Sequence, residues 1–489
     1  MNDMIKNNTK NHFFAGGSIL LKEYKILLCL LLACICLVST SCNFDHVRQE
    51  NIKAETIPPI TEDYSAEPAE STAETTEPAE KKEQSAIPEI RIRLIQGANT
   101  TEYRPAEYRF IDKDGRELSV NGKIKIRGNS TAGGTKKPFN IKLERKISAF
   151  GMERDKHWVL LANLYDKTSL RNKMALDFAE TLSFDYTTDC MYVNVYLNNI
   201  YQGMYLLCED ISVSEKRVDI DPSNGDYLIE LESVRVDPGE VYVTTATEMR
   251  FKVKEPDPEV LTEKQLMELR QFLIDCDLAA ASRDFEKISA LFDVDSFVDY
   301  YVFSEVFKNV DGKYSSFYFY IKDGKIYAGP VWDYDLCCGN ASRFYPEDKY
   351  QSYHNAPGQE GTGSGDSADG IWMQFGWFQF LMKCEEFQTL VTERYHELYP
   401  QIKNLFLDNE LGQNKIDRLT AEYADVIEQN NELWDVSVMR TDLEWLPTFQ
   451  TYEDTIVFYR NWFIRRITFL NEYFGVEDEL PPESEYGGK

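Results

Sequence analysis

The chain has 489 residues, enough for one large or two ordinary domains with a buried core. It is 43% hydrophobic and 13% aromatic, a globular composition. A formal net charge of −29 argues against a nucleic-acid-binding face and against adsorption to anionic lipid, yet permits a single nucleotide held through a bridging metal.

Residues 1–42 read as a secretory signal: Lys22 and Lys25 precede an apolar run from Ile26 to Val38, then small residues lead to Cys42. The run is short for a membrane span. Ser39-Thr40-Ser41-Cys42 resembles a bacterial lipobox with Ser39 where leucine is usual, so Cys42 is the expected site of lipidation. Leu-Leu-Ala-Cys ending at Cys34 fits the box better but leaves too short an apolar core, and an uncleaved anchor helix is the alternative. Residues 43–87 are rich in Glu, Thr, Ala, Ser and Pro without apolar periodicity, which predicts a disordered tether. The rest of the chain is therefore expected outside the cytoplasm, lipid-anchored to the cell membrane. Beyond the signal, Cys190, Cys208, Cys276, Cys337, Cys338 and Cys384 show neither CxxC metal spacing nor the density of a disulfide scaffold. They read as buried small hydrophobes with at most one bridge.

The folded part is expected over 88–480, with a disordered tail over 481–489. IRIRLI (90–95), EYRFID, GKIKIRG and FNIKL (139–143) alternate as half-buried strands. A helix is predicted over Ser169–Leu182. MYVNVYLNNI and YQGMYLLCE then form a hairpin turning at Asn198-Asn199. DYLIELES and VYVTTATEMRFKV suggest another hairpin-like segment, and LTEKQLMELRQFLIDCDLAA and VDSFVDYYVFSEVFKNV carry helical spacing. SSFYFYIKDGKIYAGPVWD reads as a hairpin around Lys322-Asp323-Gly324, residues 341–370 as a long Gly/Ser-rich loop, and 371–474 as helical and aromatic. Strands first and helices later predict an α+β fold of two lobes sharing a cleft.

Four stretches carry candidate chemistry. The turn holding Gly128, Asn129 and Ser130 can bring backbone N–H groups close to a phosphate, with Lys142 on the returning strand; a plain hairpin with a solvated lysine has the same spelling. Arg171, Asp177 and Glu180 on the following helix are candidates to orient a cleft lysine, against a solvated charged face. Asp311, between a helix and a strand and followed by Lys313, can accept a hydroxyl proton, or can simply make an Asp-Gly turn. Asp333 and Asp335 close an apolar strand one residue apart, so the paired acids repel each other unless a cation lies between them. Oxygen ligands without nearby His or Cys point to Mg²⁺ or Mn²⁺, with structural Ca²⁺ as the competitor. HExxH, GxSxG and Walker patterns are absent, which disfavours His-based hydrolysis.

Taken in order, KIKIRGNST…KKPFNIKL, HWVLLANLYDKTSLRNKMAL, VNVYLNNIYQGMYLLCEDI, NVDGKYSSFYFYI and GPVWDYDL resemble the spore coat protein H (CotH) kinase family, from about residue 90 to 345. The resemblance implies a bilobal, atypical protein-kinase-like fold, with a β-rich N-lobe over about 88–210 and a helical C-lobe over about 211–480. It implies ATP and Mg²⁺ or Mn²⁺ as cofactors and an exported protein as the partner that receives phosphate on Ser or Thr. Gly128, Asn129 and Ser130 would cover the phosphates, Lys142 would pair with them, and Glu209 would lead into the adenine-binding hinge. Asp311 would be the catalytic acid facing the substrate hydroxyl, and Lys313 would neutralise the moving phosphoryl group. Asp333 would hold the metal with Asp335, and Ser316 stands near where kinases place a metal-binding asparagine. Glu180 is the candidate partner for Lys142. The alternative function is a non-catalytic surface lipoprotein, either a pseudokinase or a module binding protein or glycan through IWMQFGWFQF (371–380).

Overall fold

The computed structural model describes residues 87–99, 101–128, 131–233, 235–247, 249–309, 312, 314–340, 368–435 and 449–484. The expected signal, Cys42 and nearly all of the tether lie outside the described residues. No helix among those described is long and apolar enough to cross a membrane.

Seven strands build the first half: β1 (Glu89–Leu94), β2 (Arg104–Ile111), β3 (Glu117–Ile126), β4 (Phe139–Ile147), β5 (Asp155–Leu161), β6 (Cys190–Leu197) and β7 (Ile200–Glu209). They close into a barrel in the order β1-β2-β3-β4-β5-β7-β6, every pair antiparallel except β6 on β1. Alternation explains the inward face, where Ile90, Ile92, Tyr108, Phe110, Ile124, Phe139, Ile141, Trp158, Val193 and Tyr205 make one core. The hairpin between β6 and β7 turns at Asn198 and Asn199, both left-handed at φ 48° and 66°, as its Asn-Asn sequence predicts. Strand β5 was not foreseen: WVLL is apolar without alternation because both of its faces are buried.

A five-stranded antiparallel sheet follows, ordered β12-β11-β8-β10-β9. Its strands are β8 (Tyr227–Glu232), β9 (Tyr242–Thr244), β10 (Arg250–Glu255), β11 (Ser315–Lys322) and β12 (Lys325–Ala328). Helix α1 (Arg171–Ala179) lies between β5 and β6, inside the range expected for it but shorter. The others are α2 (Glu263–Ser282), α3 (Phe285–Leu291), α4 (Val294–Phe307), α5 (Phe378–Leu381), α6 (Glu385–Asn404), α7 (Lys415–Glu422), α8 (Ala424–Leu433) and α9 (Tyr452–Phe474). Helices α2 and α9 start at capping boxes, Thr262 with Gln265 and Thr451 with Asp454. Residues 481–484, expected to be disordered, are tied to α9: Asn461 Nδ2 donates to the Ser484 carbonyl at 2.8 Å and its Oδ1 accepts the Ser484 N–H at 2.9 Å.

The α+β class holds, but the two-lobed division is not evident. The outward residues Val159, Leu161, Cys190, Tyr192, Met204, Leu206 and Cys208 of β5, β6 and β7 belong to the same core as the helices and the second sheet. An apolar outer face has to be covered, so the barrel is packed against the remainder rather than hinged to it. A lysine crosses this junction. Lys136 is 3% exposed, and its Nζ donates to the Met204 carbonyl at 2.5 Å and to Asn430 Oδ1 of α8 at 3.0 Å.

Burial lowers the Lys136 pKa to about 7. Between that value and lysine's ordinary 10.5 only the unfolded chain holds the proton, so raising the pH favours the folded state. Below about 7 both states are protonated and the gain is absent. The urea midpoint of the wild type should therefore rise across this window relative to Lys136→Met, and parallel pH profiles of the two proteins would refute the assignment.

Candidate functional site

A cavity of about 460 Å³ opens between the barrel rim, the second sheet and the WDYD stretch. Strand β3 brings Lys125 and Arg127 to it, because residues alternating with inward Ile124 point outward. Register fixes them: Lys125 stands opposite Asn140, and the Arg127 N–H donates to the Pro138 carbonyl at 3.1 Å. The Arg127 guanidinium lies 5.4 Å over the Trp332 ring, and Lys125 Nζ lies 5.5 Å over Tyr103. Among the described residues neither has a carboxylate at ion-pair distance. Other cations of the cavity are already matched, Lys254 to Glu230 at 3.3 Å, Lys252 to Glu240 at 2.9 Å and Arg235 to Glu232 at 3.1 Å. Tyr318 donates to Glu230, and its burial beside Glu230 and Asp210 pushes its pKa well up, keeping the phenol protonated.

Asp333 and Asp335 line the same cavity, both half-buried. Asp333 has a left-handed backbone at φ 65°, and so does Ser316, the residue that breaks the β11 register between Ser315 and Phe317. That bulge aims the Ser316 hydroxyl at Asp333, donating to its Oδ2 at 3.1 Å. Two non-glycine residues held left-handed on facing segments are the kind of backbone cost that structures retain at working sites.

Neighbouring elements fasten this loop. Asn309 Nδ2 donates to the Asp333 carbonyl at 2.8 Å, and the Tyr334 N–H donates to Asn172 Oδ1 at 2.7 Å. Arg171, buried and paired with Asp166 at 2.6 Å, donates to the carbonyls of Cys337 at 3.0 Å and Cys338 at 3.3 Å. Asn340 Nδ2 donates to the carbonyls of Asp335 at 2.6 Å and Tyr165 at 2.9 Å. Asn309 is itself braced: its carbonyl accepts from Trp372 Nε1 at 3.1 Å, and the backbone N–H groups of Trp372 and Met373 donate to Glu305. Glu305 meets Arg466 at 2.5 Å with both side chains fully buried, and Arg466 also donates to the carbonyls of Ala368 and Gly370.

The residues expected from the sequence are distributed unevenly around this cavity. Gly128, Ser316, Asp333 and Asp335 come together there. Gly128 has φ 86°, and a Cβ on it would strike Thr131 Oγ1 at 2.0 Å. Lys142 does not join them: it is exposed, one outward position farther along β4 than Asn140, opposite Lys123 and His157. Its expected partner Glu180 is exposed, while Asp177 bridges Lys173 and Lys415. Glu209 is 2% exposed and accepts from Tyr186 Oη at 2.9 Å, and its own N–H is taken by the Asp189 carbonyl, so it ties strands together away from the cavity lining. Asn129, Ser130, Asp311 and Lys313 lie outside the described residues. Sequence reasoning missed Lys125, Arg127, Asn172 and Trp332, although the KIKIR alternation running into Gly128 carried the signal for the first two.

The donor set suits a hard cation. Asp333, Asp335 and Ser316 offer only oxygen, and two carboxylates leave positions for phosphate oxygens and water, the usual Mg²⁺ arrangement. Among the described residues no group of three or more His, Cys, Asp or Glu could hold a metal by itself. Compared with known families, the chain matches CotH kinase protein over residues 124–470, a span that includes every residue lining the cavity. A search of curated proteins returns no match.

Replacing Arg466 by Met leaves Glu305 buried without its countercharge, and should cost about 3–5 kcal/mol. Adding Glu305→Gln to that variant should restore part of the loss, as read from urea midpoints. A single variant as stable as wild type would show that the pair does not hold this region.

Proposed function

This chain belongs to the CotH kinase family, and on that premise we propose that it is an atypical protein kinase moving the γ-phosphoryl group of ATP to a Ser or Thr hydroxyl of an exported protein. The observation that carries the reading is one cavity with Lys125 and Arg127, unmatched by a carboxylate among the described residues, on one wall and Asp333 and Asp335 on another. A polyphosphate with a divalent cation satisfies both walls at once. Asp333 would hold Mg²⁺ or Mn²⁺ with Asp335 and Ser316, and the ion, when bound, neutralises charge on the β- and γ-phosphates. Lys125 and Arg127 take the phosphate-pairing role in place of Lys142, and the turn at Gly128 lets backbone approach the phosphates.

In the transfer, the acceptor hydroxyl gives its proton to the Asp311 carboxylate as its oxygen bonds to the γ-phosphorus. The bond from that phosphorus to the bridging oxygen breaks, and ADP leaves with the electron pair; Lys313 stabilises the moving group. The barrel then serves as the N-lobe of a kinase-like arrangement. The N-terminal features support export and attachment through lipid on Cys42, with the membrane touched only by that anchor and no nucleic acid engaged. One observation favours a second reading, a nucleotide-binding pseudokinase: Ser316 spends its proton on Asp333, where a kinase usually has a neutral amide ligand.

Purified protein given γ-labelled ATP and Mn²⁺ should label itself, and Asp311→Ala and Asp333→Ala should each abolish the signal. Arg127→Ala should weaken nucleotide binding about tenfold or more, the loss of a charge-assisted hydrogen bond, whereas Lys142→Ala should leave it unchanged. The reverse pattern would return the phosphate-pairing role to Lys142. Binding without transfer would select the pseudokinase, and no binding at millimolar nucleotide would select the surface-binding module.

A further inference from the structure

Apart from the nucleotide cavity, the strands that close the barrel carry a feature with its own chemistry. Cys190 opens β6 and Cys208 nearly ends β7, and the two are direct cross-strand partners. The Glu209 N–H donates to the Asp189 carbonyl at 3.0 Å, so the 189–209 pair is hydrogen-bonded. Alternation along an antiparallel ladder then makes 190–208 a non-hydrogen-bonded pair, whose Cα atoms stand about 4.5 Å apart with side chains on one face. That separation lies within the roughly 4.4–6.8 Å that a disulfide spans. Both side chains point to the same core, at 4% and 0% exposure, and both are free thiols in this structure.

We propose that Cys190 and Cys208 form a disulfide that clasps the β6–β7 hairpin when the chain folds in an oxidising compartment. The reaction is thiol–disulfide exchange. The Cys190 thiolate attacks a small-molecule disulfide and expels one thiolate. The Cys208 thiolate then attacks the Cys190 sulfur, forming the protein S–S bond and expelling the second thiolate. The two cysteine protons end on the two released thiols, so the protein pair is oxidised and the added disulfide reduced. Closure has to precede burial, because burial and the neighbouring Cys190 sulfur push the Cys208 thiol well above its ordinary pKa and suppress the attacking thiolate. The adjacent pair Cys337-Cys338 is the internal contrast. Joined by a trans peptide, their Cα atoms are about 3.8 Å apart, short of the usual disulfide range, so a bridge between them would be strained. Cys276 and Cys384 face no cross-strand cysteine among the described residues and are expected to stay free.

The test does not depend on kinase activity or on export. The full chain is refolded through a buffer of reduced and oxidised glutathione, denatured with excess iodoacetamide and digested with trypsin. One peptide, Met174–Lys216, holds both cysteines and no others. It should weigh two hydrogens less than the dithiol and carry no alkyl group, and should become doubly alkylated only after reduction. The peptide containing Cys337 and Cys338 should be doubly alkylated throughout. A doubly alkylated Met174–Lys216 without reductant overturns the proposal. As a second readout, dithiothreitol should lower the thermal midpoint of the oxidised wild type by several degrees and leave Cys190→Ala/Cys208→Ala unmoved. A wild-type midpoint indifferent to reductant counts against the clasp.

Discussion

The buried pair of Glu305 and Arg466 sets the frame on which the site is hung. One carboxylate and one guanidinium, both fully buried, satisfy each other and hold the backbone of residues 368–373 against α4 and α9. Such a pair adds little net stability compared with apolar packing, yet neither partner can leave without stranding the other. Its effect is therefore on shape. The held segment presents Trp372 to the Asn309 carbonyl, and Asn309 in turn grips the carbonyl of Asp333. The Asp333 backbone is thus fixed through a relay that begins deep in the helical core.

The barrel answers a different constraint. Strands β5 to β7 are apolar on both faces, so one face fills the barrel and the other is left for the helices and second sheet. The cavity wall carrying Lys125 and Arg127 is built from the opposite side, where β3 and β4 keep polar outward faces. One closed sheet thus divides its circumference between an apolar packing face and a polar face, and the cavity sits at the boundary between the two.

This division decides what could be read from the chain. Asp333 and Asp335 were visible because acids interrupt an apolar run, and interruption needs no three-dimensional knowledge. The Asn-Asn turn and the Asp323-Gly324 turn were legible because left-handed geometry selects those residues. Strand β5 was hidden because double burial erases alternation. Lys142 falls outside the cavity lining for a subtler reason: alternation says which face a residue takes but not how far along the strand a cavity reaches, and Asn140 marks its edge. Glu209 looked like the start of a hinge because the polar sequence resumes there, whereas it ends in a buried tie with Tyr186 beside Arg217. The Ser316 bulge depends on pairing with β8, a partner more than eighty residues away, and local pattern holds no record of it.

The single parallel pairing in the barrel, β6 on β1, bears on how the molecule comes into being. Strand β1 meets β2 at once, but its other edge stays open until residues 194–197 arrive, about a hundred residues later. Before residues 194–197 are in place the first strands cannot close the barrel, and one edge of β1 lacks its native backbone partners. Closure is a late event with a long loop, which slows folding and lengthens the time that edge is available to the wrong strand.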